Sequence, residues 1–195
     1  MQTLELDLTK RYTYADYLTW LDNQRRELYN GFIKLMSPAP RRMHQSISSQ
    51  LLGHFWFFLK GKKCKIYNAP FDVRLPIKNK QNDSEIYTVV QPDLCIICNT
   101  EKLDDKGCIG APDMIIEIIS KSSAKNDAIE KYKIYEEAGV LEYWIVYPET
   151  GLVHVFLLEN GKFHLKKIYA SDDKIEVHIF KGELIIDLNE IFENQ

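Results

Sequence analysis

The stretch Asp113-Met-Ile-Ile-Glu-Ile-Ile119 constrains this chain more than any other. Its aliphatic residues show no polar alternation, which is the pattern of a strand covered on both faces. A second buried run, Glu142-Tyr-Trp-Ile-Val-Tyr147, follows a helical segment that Gly139 stops at the position past the helix end where positive φ favours glycine. Buried strands alternating with helices predict one mixed α/β domain. Glu117 breaks the first run. A lone buried carboxylate costs several kcal/mol even after relaxation, so it must be neutralised, paired with a cation or bound to a metal.

Composition supports a single domain of this kind. The chain has 195 residues, 25 Lys+Arg against 28 Asp+Glu, and 45% hydrophobic residues. A chain of this length buries roughly 70% of its unfolded surface and needs no metal or disulfide staple. The net charge of −3 and pI near 6.0 exclude a histone-like coating protein, though not a nucleic-acid enzyme with a local basic surface. No apolar run is long enough to span a membrane, and the start lacks the basic-then-apolar layout of a signal peptide. A cytoplasmic protein with no membrane contact is expected. Accordingly Cys64, Cys95, Cys98 and Cys108 are expected to be reduced. Cys95 and Cys98 lie three apart in a predicted strand, so they face opposite ways and cannot share a zinc ion.

Along the chain, Thr13 is an N-cap candidate for a short helix carrying Leu18 and Leu21. Two strands about Asn30-Gly31 are predicted over Arg26 to Met36, and a long amphipathic helix over Arg42 to Lys60. Extended chain follows from Cys64 to Ile77, then a strand over Tyr87 to Cys98 and a polar connection from Asn99 to Gly110. A helix runs from about Ala124 to Ala138, and strand segments fill the remainder to Ile191.

Asp93 repeats the anomaly of Glu117, since it sits between Val89-Val90 and Leu94. If the two strands are neighbours, both carboxylates converge at the sheet surface. Hard oxygen ligands of this kind suit Mg²⁺ or Mn²⁺. After Glu117 comes Ser120, then a helix on which Asp127, Lys131 and Tyr135 recur every four residues, one face that can look back at the sheet. The plainer reading is two structural acids satisfied by backbone donors or lysines, with Asp127 and Lys131 as an exposed helix pair. Asp113 lies four residues before Glu117, about 13 Å along the strand, too far to share an ion with it.

Pro92-Asp93, followed by Glu117 and Ser120, resembles the PD-(D/E)XK nuclease superfamily. More narrowly, the chain resembles the Uma-type restriction endonuclease family, a former domain of unknown function. The matching stretches are Glu27-Leu-Tyr-Asn-Gly31, Met36-Ser-Pro38, His44, Val90-Gln-Pro-Asp-Leu94, Gly110 to Ser120, Asp127-Ala-Ile-Glu-Lys131 to Tyr135, and Gly139 to Val146. They occur in order and span about residues 13 to 191 of a single domain covering 1–195.

The resemblance implies a restriction-endonuclease-like core, a central mixed β-sheet flanked by helices, with extra β-hairpins at the C-terminal end. It implies a Mg²⁺- or Mn²⁺-dependent endonuclease acting on DNA, with Asp93, Glu117 and the backbone carbonyl of Ile118 as metal ligands. Glu27 would reach the same site. Where the superfamily pattern has lysine, two residues after Glu117, this chain has Ile119. Lys131 is the candidate for a migrated catalytic lysine. The alternative is a catalytically degenerate nuclease fold that binds nucleic acid or a protein partner. His44 is expected to cap or pack at the start of the long helix, or to touch substrate. Ser120, Asp127 and Tyr135 are supporting candidates. Arg41-Arg42 and the run Lys60 to Lys65 are candidate phosphate contacts, and part of Phe55-Trp-Phe-Phe58 is a candidate homodimer contact.

Overall fold

Asn30 and Gly31, with φ of 51° and 90°, form the tight turn that their types favour, and antiparallel strands β1 (Arg26–Tyr29) and β2 (Phe32–Leu35) extend from it. The computed structural model describes residues 5–22, 24–36, 41–77, 81–119 and 124–193, apart from the side chains of 124–127. Ahead of the hairpin, α1 (Tyr14–Tyr17) is a single turn. Its N-cap is a reciprocal Thr13–Asp16 capping box. It stops short of the predicted length: the Thr19 hydroxyl donates to the Asp16 carbonyl, and Leu18 and Leu21 are exposed instead of forming an apolar face.

The long helix α2 (Arg42–Leu59) buries Ile47, Leu51, Phe55 and Leu59, each four residues after the last, so the predicted amphipathic helix packs by one face. The remaining strands are β3 (Lys65–Asn68), β4 (Val73–Arg74), β5 (Val89–Val90), β6 (Leu94–Ile97), β7 (Leu103–Asp104), β8 (Gly107–Ile109), β9 (Met114–Ile118), β10 (Glu142–Tyr147), β11 (Leu152–Glu159), β12 (Lys162–Tyr169), β13 (Lys174–Glu176) and β14 (Ile185–Asp187). Helix α3 (Ala124–Ala138) joins β9 to β10, and α4 (Leu188–Phe192) closes the described chain. The strand expected up to Ile191 thus ends at Asp187 and gives way to a short helix, whose N-cap is the Asp187 side chain.

Among the described residues the expected central mixed sheet is present, and a second six-stranded sheet accompanies it. The main sheet has the order β12-β11-β10-β9-β6-β3, and the smaller one β2-β1-β5-β4-β8-β7. β9 and β10 run parallel across the α3 crossover, whereas β9 and β6 run antiparallel, so the main sheet is mixed. The C-terminal hairpin of β11 and β12 extends this sheet, and β13 with β14 makes a separate ribbon. The predicted strand from Tyr87 to Cys98 is really two. Pro92 supplies no N–H for a ladder, and across Gln91 to Asp93 the chain passes from the small sheet (β5) to the main sheet (β6). The predicted polar connection after Asn99 contains β7 and β8.

Successive residues of β9 serve different layers. Met114, Ile116 and Ile118 pack with Ile47, Leu51, Phe55 and Trp144 under α2. Ile115 and Ile119 face the other way, with Tyr135 and Val140 of the α3 region and Tyr29, Val73 and Val90 of the small sheet. A third apolar cluster fixes α1 against the outer face of the small sheet through Tyr14, Leu28 and Val89. Cys95 and Cys98 do face opposite sides. The expectation of four thiols is corrected, however, because Cys64 and Cys98 are disulfide-bonded. Pairing of Lys65 with Ile97 brings the next residue outward on each strand face to face. Cys95 and Cys108 are buried free thiols, both pushed up in pKa by desolvation. Among the described residues no helix is long and apolar enough to cross a membrane.

The α2 layer depends on Phe55, fully buried and set edge-on to Trp144 with ring centres 6.1 Å apart. Phe55→Ala is expected to cost about 3–5 kcal/mol by loss of transfer energy and an unfilled cavity. Urea unfolding measures it; a loss below about 1 kcal/mol would mean that α2 does not pack this way.

Candidate active site

On the α3 side of β9, Glu117 is only 5% exposed. Its partners come from the helix that follows. Lys131 Nζ lies 3.0 Å from Glu117 Oε1, and the Tyr135 hydroxyl donates to the same oxygen at 2.6 Å. The two residues are four apart, so they share a helix face. Lys131 is itself 5% exposed, and its ammonium also lies 3.2 Å from Glu27 Oε1.

Glu27 belongs to β1 of the small sheet and is 3% exposed. Its Oε1 accepts the Gln91 backbone N–H at 2.7 Å, and its Oε2 accepts the Tyr29 hydroxyl at 2.8 Å. The Gln91 side chain is anchored in turn: Arg25 donates twice to its Oε1, and its amide nitrogen donates to Asp72 and the Tyr17 hydroxyl. Two residues on, Asp93 sits just before β6. The pairing of Leu94 with Ile116 sets Asp93 across from Glu117 on the neighbouring strand. Asp93 Oδ2 accepts the Ile118 N–H at 2.8 Å and lies 3.2 Å from His44 Nε2.

Two carboxylates thus meet one buried lysine, with Asp93 across the strand pair from Glu117, and the electrostatics follow. Burial pushes the Glu117 carboxyl up to about 8, helped by the charges of Asp93 and Glu27 and opposed by Lys131 and the Tyr135 hydrogen bond. Burial and the neighbouring Glu117 raise Tyr135 well above its ordinary value, so it stays a donor. For His44, burial acts to lower the pKa, but the hydrogen bond and charge of Asp93 more than offset it, and the net shift is upward.

Of the residues singled out in the sequence, Asp93, Glu117, Glu27, Lys131 and Tyr135 meet here, with His44 joined through Asp93. His44 does not cap α2, which has no side-chain cap; its ring turns to the Asp93 carboxylate. Ile118 contributes its N–H to Asp93. Asp113 keeps away from the cluster and accepts the Cys98 N–H at 2.7 Å. Ser120 and the Asp127 side chain lie outside the described residues. Sequence reasoning missed Tyr29 and Gln91. Tyr29 shares Glu27's strand face at a spacing of two, and Gln91 is a polar residue in an apolar run beside Pro92-Asp93.

Among the described residues, no group of three or more His, Cys, Asp or Glu side chains is placed to hold a metal ion. The donor chemistry still fits a hard cation. Two facing carboxylates on adjacent strands, one of them destabilised as an anion chiefly by burial, offer the sparse oxygen set that Mg²⁺ completes with water and phosphate.

The model of the Uma2 family, described as "Putative restriction endonuclease", matches residues 14–189. "Uncharacterized protein slr1290" from Synechocystis sp. (strain ATCC 27184 / PCC 6803 / Kazusa) is 26% identical over 176 residues, covering 89% of this chain and 88% of that protein. Among solved structures, the chain is similar to "a putative nuclease belonging to DUF820" from Anabaena variabilis ATCC 29413, with a TM-score of 0.72. That match covers 93% of this chain and 97% of the other at 17% identity, a likeness of fold.

Because Glu117 binds its proton more tightly folded than unfolded, its contribution favours the fold below the ordinary carboxylate range. It is lost as pH rises from about 4.5 toward about 8. Glu117→Gln keeps the neutral form throughout. In EDTA, the urea midpoint of the variant should therefore gain on that of the native protein across this window. A difference independent of pH would mean that Glu117 is not held as described.

Proposed function

The chain belongs to the Uma2 family, and from that premise we propose that it is a Mg²⁺- or Mn²⁺-dependent endonuclease that hydrolyses DNA phosphodiester bonds. The observation that carries this reading is Lys131, whose ammonium lies 3.0 Å from Glu117 Oε1 although the chain has Ile119 at the lysine position of the superfamily pattern. The lysine comes from α3 instead of β9 and arrives at the same carboxylate.

Asp93, Glu117 and the Ile118 carbonyl would hold the ion, which when bound polarises the scissile phosphate and lowers the pKa of a water. The protein's own residues do the rest. Lys131, held between Glu117 and Glu27, presents positive charge where the phosphate gains negative charge. Tyr135 fixes the Glu117 rotamer, while the Ile118 N–H and His44 fix Asp93. Glu27, 3.2 Å from the ammonium, orients it. A two-fold dimer would carry two such sites, one for each DNA strand. We place the reaction in the cytoplasm, with DNA as partner.

A second reading, a degenerate fold that binds DNA without cutting it, is favoured by one observation: Ile119 is aliphatic and 9% exposed, and cannot contact a phosphate as lysine would. The two readings separate in a plasmid-nicking assay. Cleavage with Mg²⁺ or Mn²⁺ should vanish in EDTA and in Asp93→Ala and Glu117→Ala, and Lys131→Met should lower the rate about 10²-fold or more, with partial rescue by Lys131→Arg. DNA binding that survives loss of both carboxylates, with no divalent-dependent cleavage by the native protein, would establish the second reading instead.

A further inference from the structure

The site has a second lysine at its edge that differs from Lys131 in one decisive respect: it is exposed. The register of the β1–β2 hairpin sets Lys34 directly opposite Glu27, so the two side chains leave the same face of the small sheet. Tyr29 connects them. Its hydroxyl donates to Glu27, and Lys34 Nζ lies 5.5 Å from the centre of its ring. Lys34 Nζ is 2.7 Å from Glu130 Oε2, with the two side chains 41% and 46% exposed. Glu130 immediately precedes Lys131 on α3. The same strand face carries Arg25, two residues before Glu27; it is exposed, and its guanidinium donates to the neutral Gln91 Oε1 at 3.1 and 2.8 Å.

A cluster of three carboxylates repels a polyanion, so a nucleic-acid strand approaching it needs positive charge at the mouth. Lys131, 5% exposed and in contact with two carboxylates, can act only on a phosphate already seated in the site and supplies no charge at its mouth. We propose that Lys34 is the phosphate-docking residue of this site, and that Glu130 occupies its ammonium until a backbone phosphate of the nucleic acid displaces it. The proposal rests on the nuclease reading above. The exchange is cheap, because an ion pair this exposed contributes little and a phosphate offers the same charge-assisted contact. Contact is with the backbone, so it acts alike on all sequences.

The test is fluorescence anisotropy of a labelled DNA duplex with the full chain in EDTA, where nothing is cut, over about 50 to 200 mM salt. Lys34→Gln should weaken binding about fivefold at the low end and reduce the slope of log affinity against log salt by about 0.9. Glu130→Gln, which removes the competing anion, should tighten binding. Lys174→Gln, which removes an equal charge from the Lys174–Asp187 pair on β13, should leave the slope unchanged. If the Lys34–Glu130 pair only staples β2 to α3, both variants lose thermal stability alike and Glu130→Gln weakens binding as Lys34→Gln does; that result overturns the proposal. So does an unaltered salt slope in Lys34→Gln while the native protein binds, which leaves the nuclease reading standing. A native protein that binds no DNA at the lowest salt overturns that reading and this inference together.

Discussion

Glu117 and Lys131 are both buried, and each finds in the other a polar partner that the surrounding apolar layer does not offer. Their contact, with the Lys131 contact to Glu27, ties together β9 of the main sheet, α3, and β1 of the small sheet. The same three elements also share an apolar cluster through Tyr29, Ile115 and Tyr135. The apolar packing around Tyr135 and Tyr143 holds α3 on the sheet in general terms, but the ion pair fixes which turn of the helix lies over which residue of the strand. Tyr135 adds a second fixed distance from the same helix face. The arrangement resembles a clamp whose jaws belong to different layers.

The second organising feature is the passage of the chain between sheets at Gln91-Pro92-Asp93. One residue of this crossing faces back and one faces forward: the Gln91 N–H binds Glu27 of the small sheet, while Asp93 accepts the N–H of Ile118 in the main sheet. A continuous strand could not do this, because its backbone groups would all be committed to one ladder. The crossing therefore fixes Glu27 of the small sheet through one of its residues and carries Asp93 to the main sheet through another. The Gln91 side chain, bonded to Arg25, Asp72 and Tyr17, keeps the crossing rigid.

Much of this was legible in the sequence. The unbroken apolar run of β9 made Glu117 conspicuous, and the spacing of four from Lys131 to Tyr135 placed both on the face that meets it. Asn30-Gly31 and Gly139 marked their turns because each needs positive φ. Other parts were hidden for physical reasons. The apolar content of Tyr87 to Cys98 reads as a strand whether one sheet or two receives it. Leu18 and Leu21 have helical spacing, yet a hydroxyl captures the carbonyl that would continue α1. His44 looked like a helix-start residue, and only the three-dimensional position of Asp93 gives its ring a partner. Cys64 and Cys98 are far apart in sequence, and strand register alone brings them together.

Alternation along β9 has a consequence for how the chain finds its native pairing. Central strands made of Ile, Met and Leu pair almost as well one residue out of step as in step, since the exchanged side chains have nearly the same volume and polarity. In this sheet the two shifts are far from equivalent. A one-residue slip of β9 would turn Glu117 into the layer of Phe55 and Trp144, where an acid meets aromatic rings, and would leave Lys131 and Glu27 facing an isoleucine. The same acids thus also discriminate against mispaired sheets, because a chain assembled out of register would bury an unpartnered carboxylate among aromatic rings.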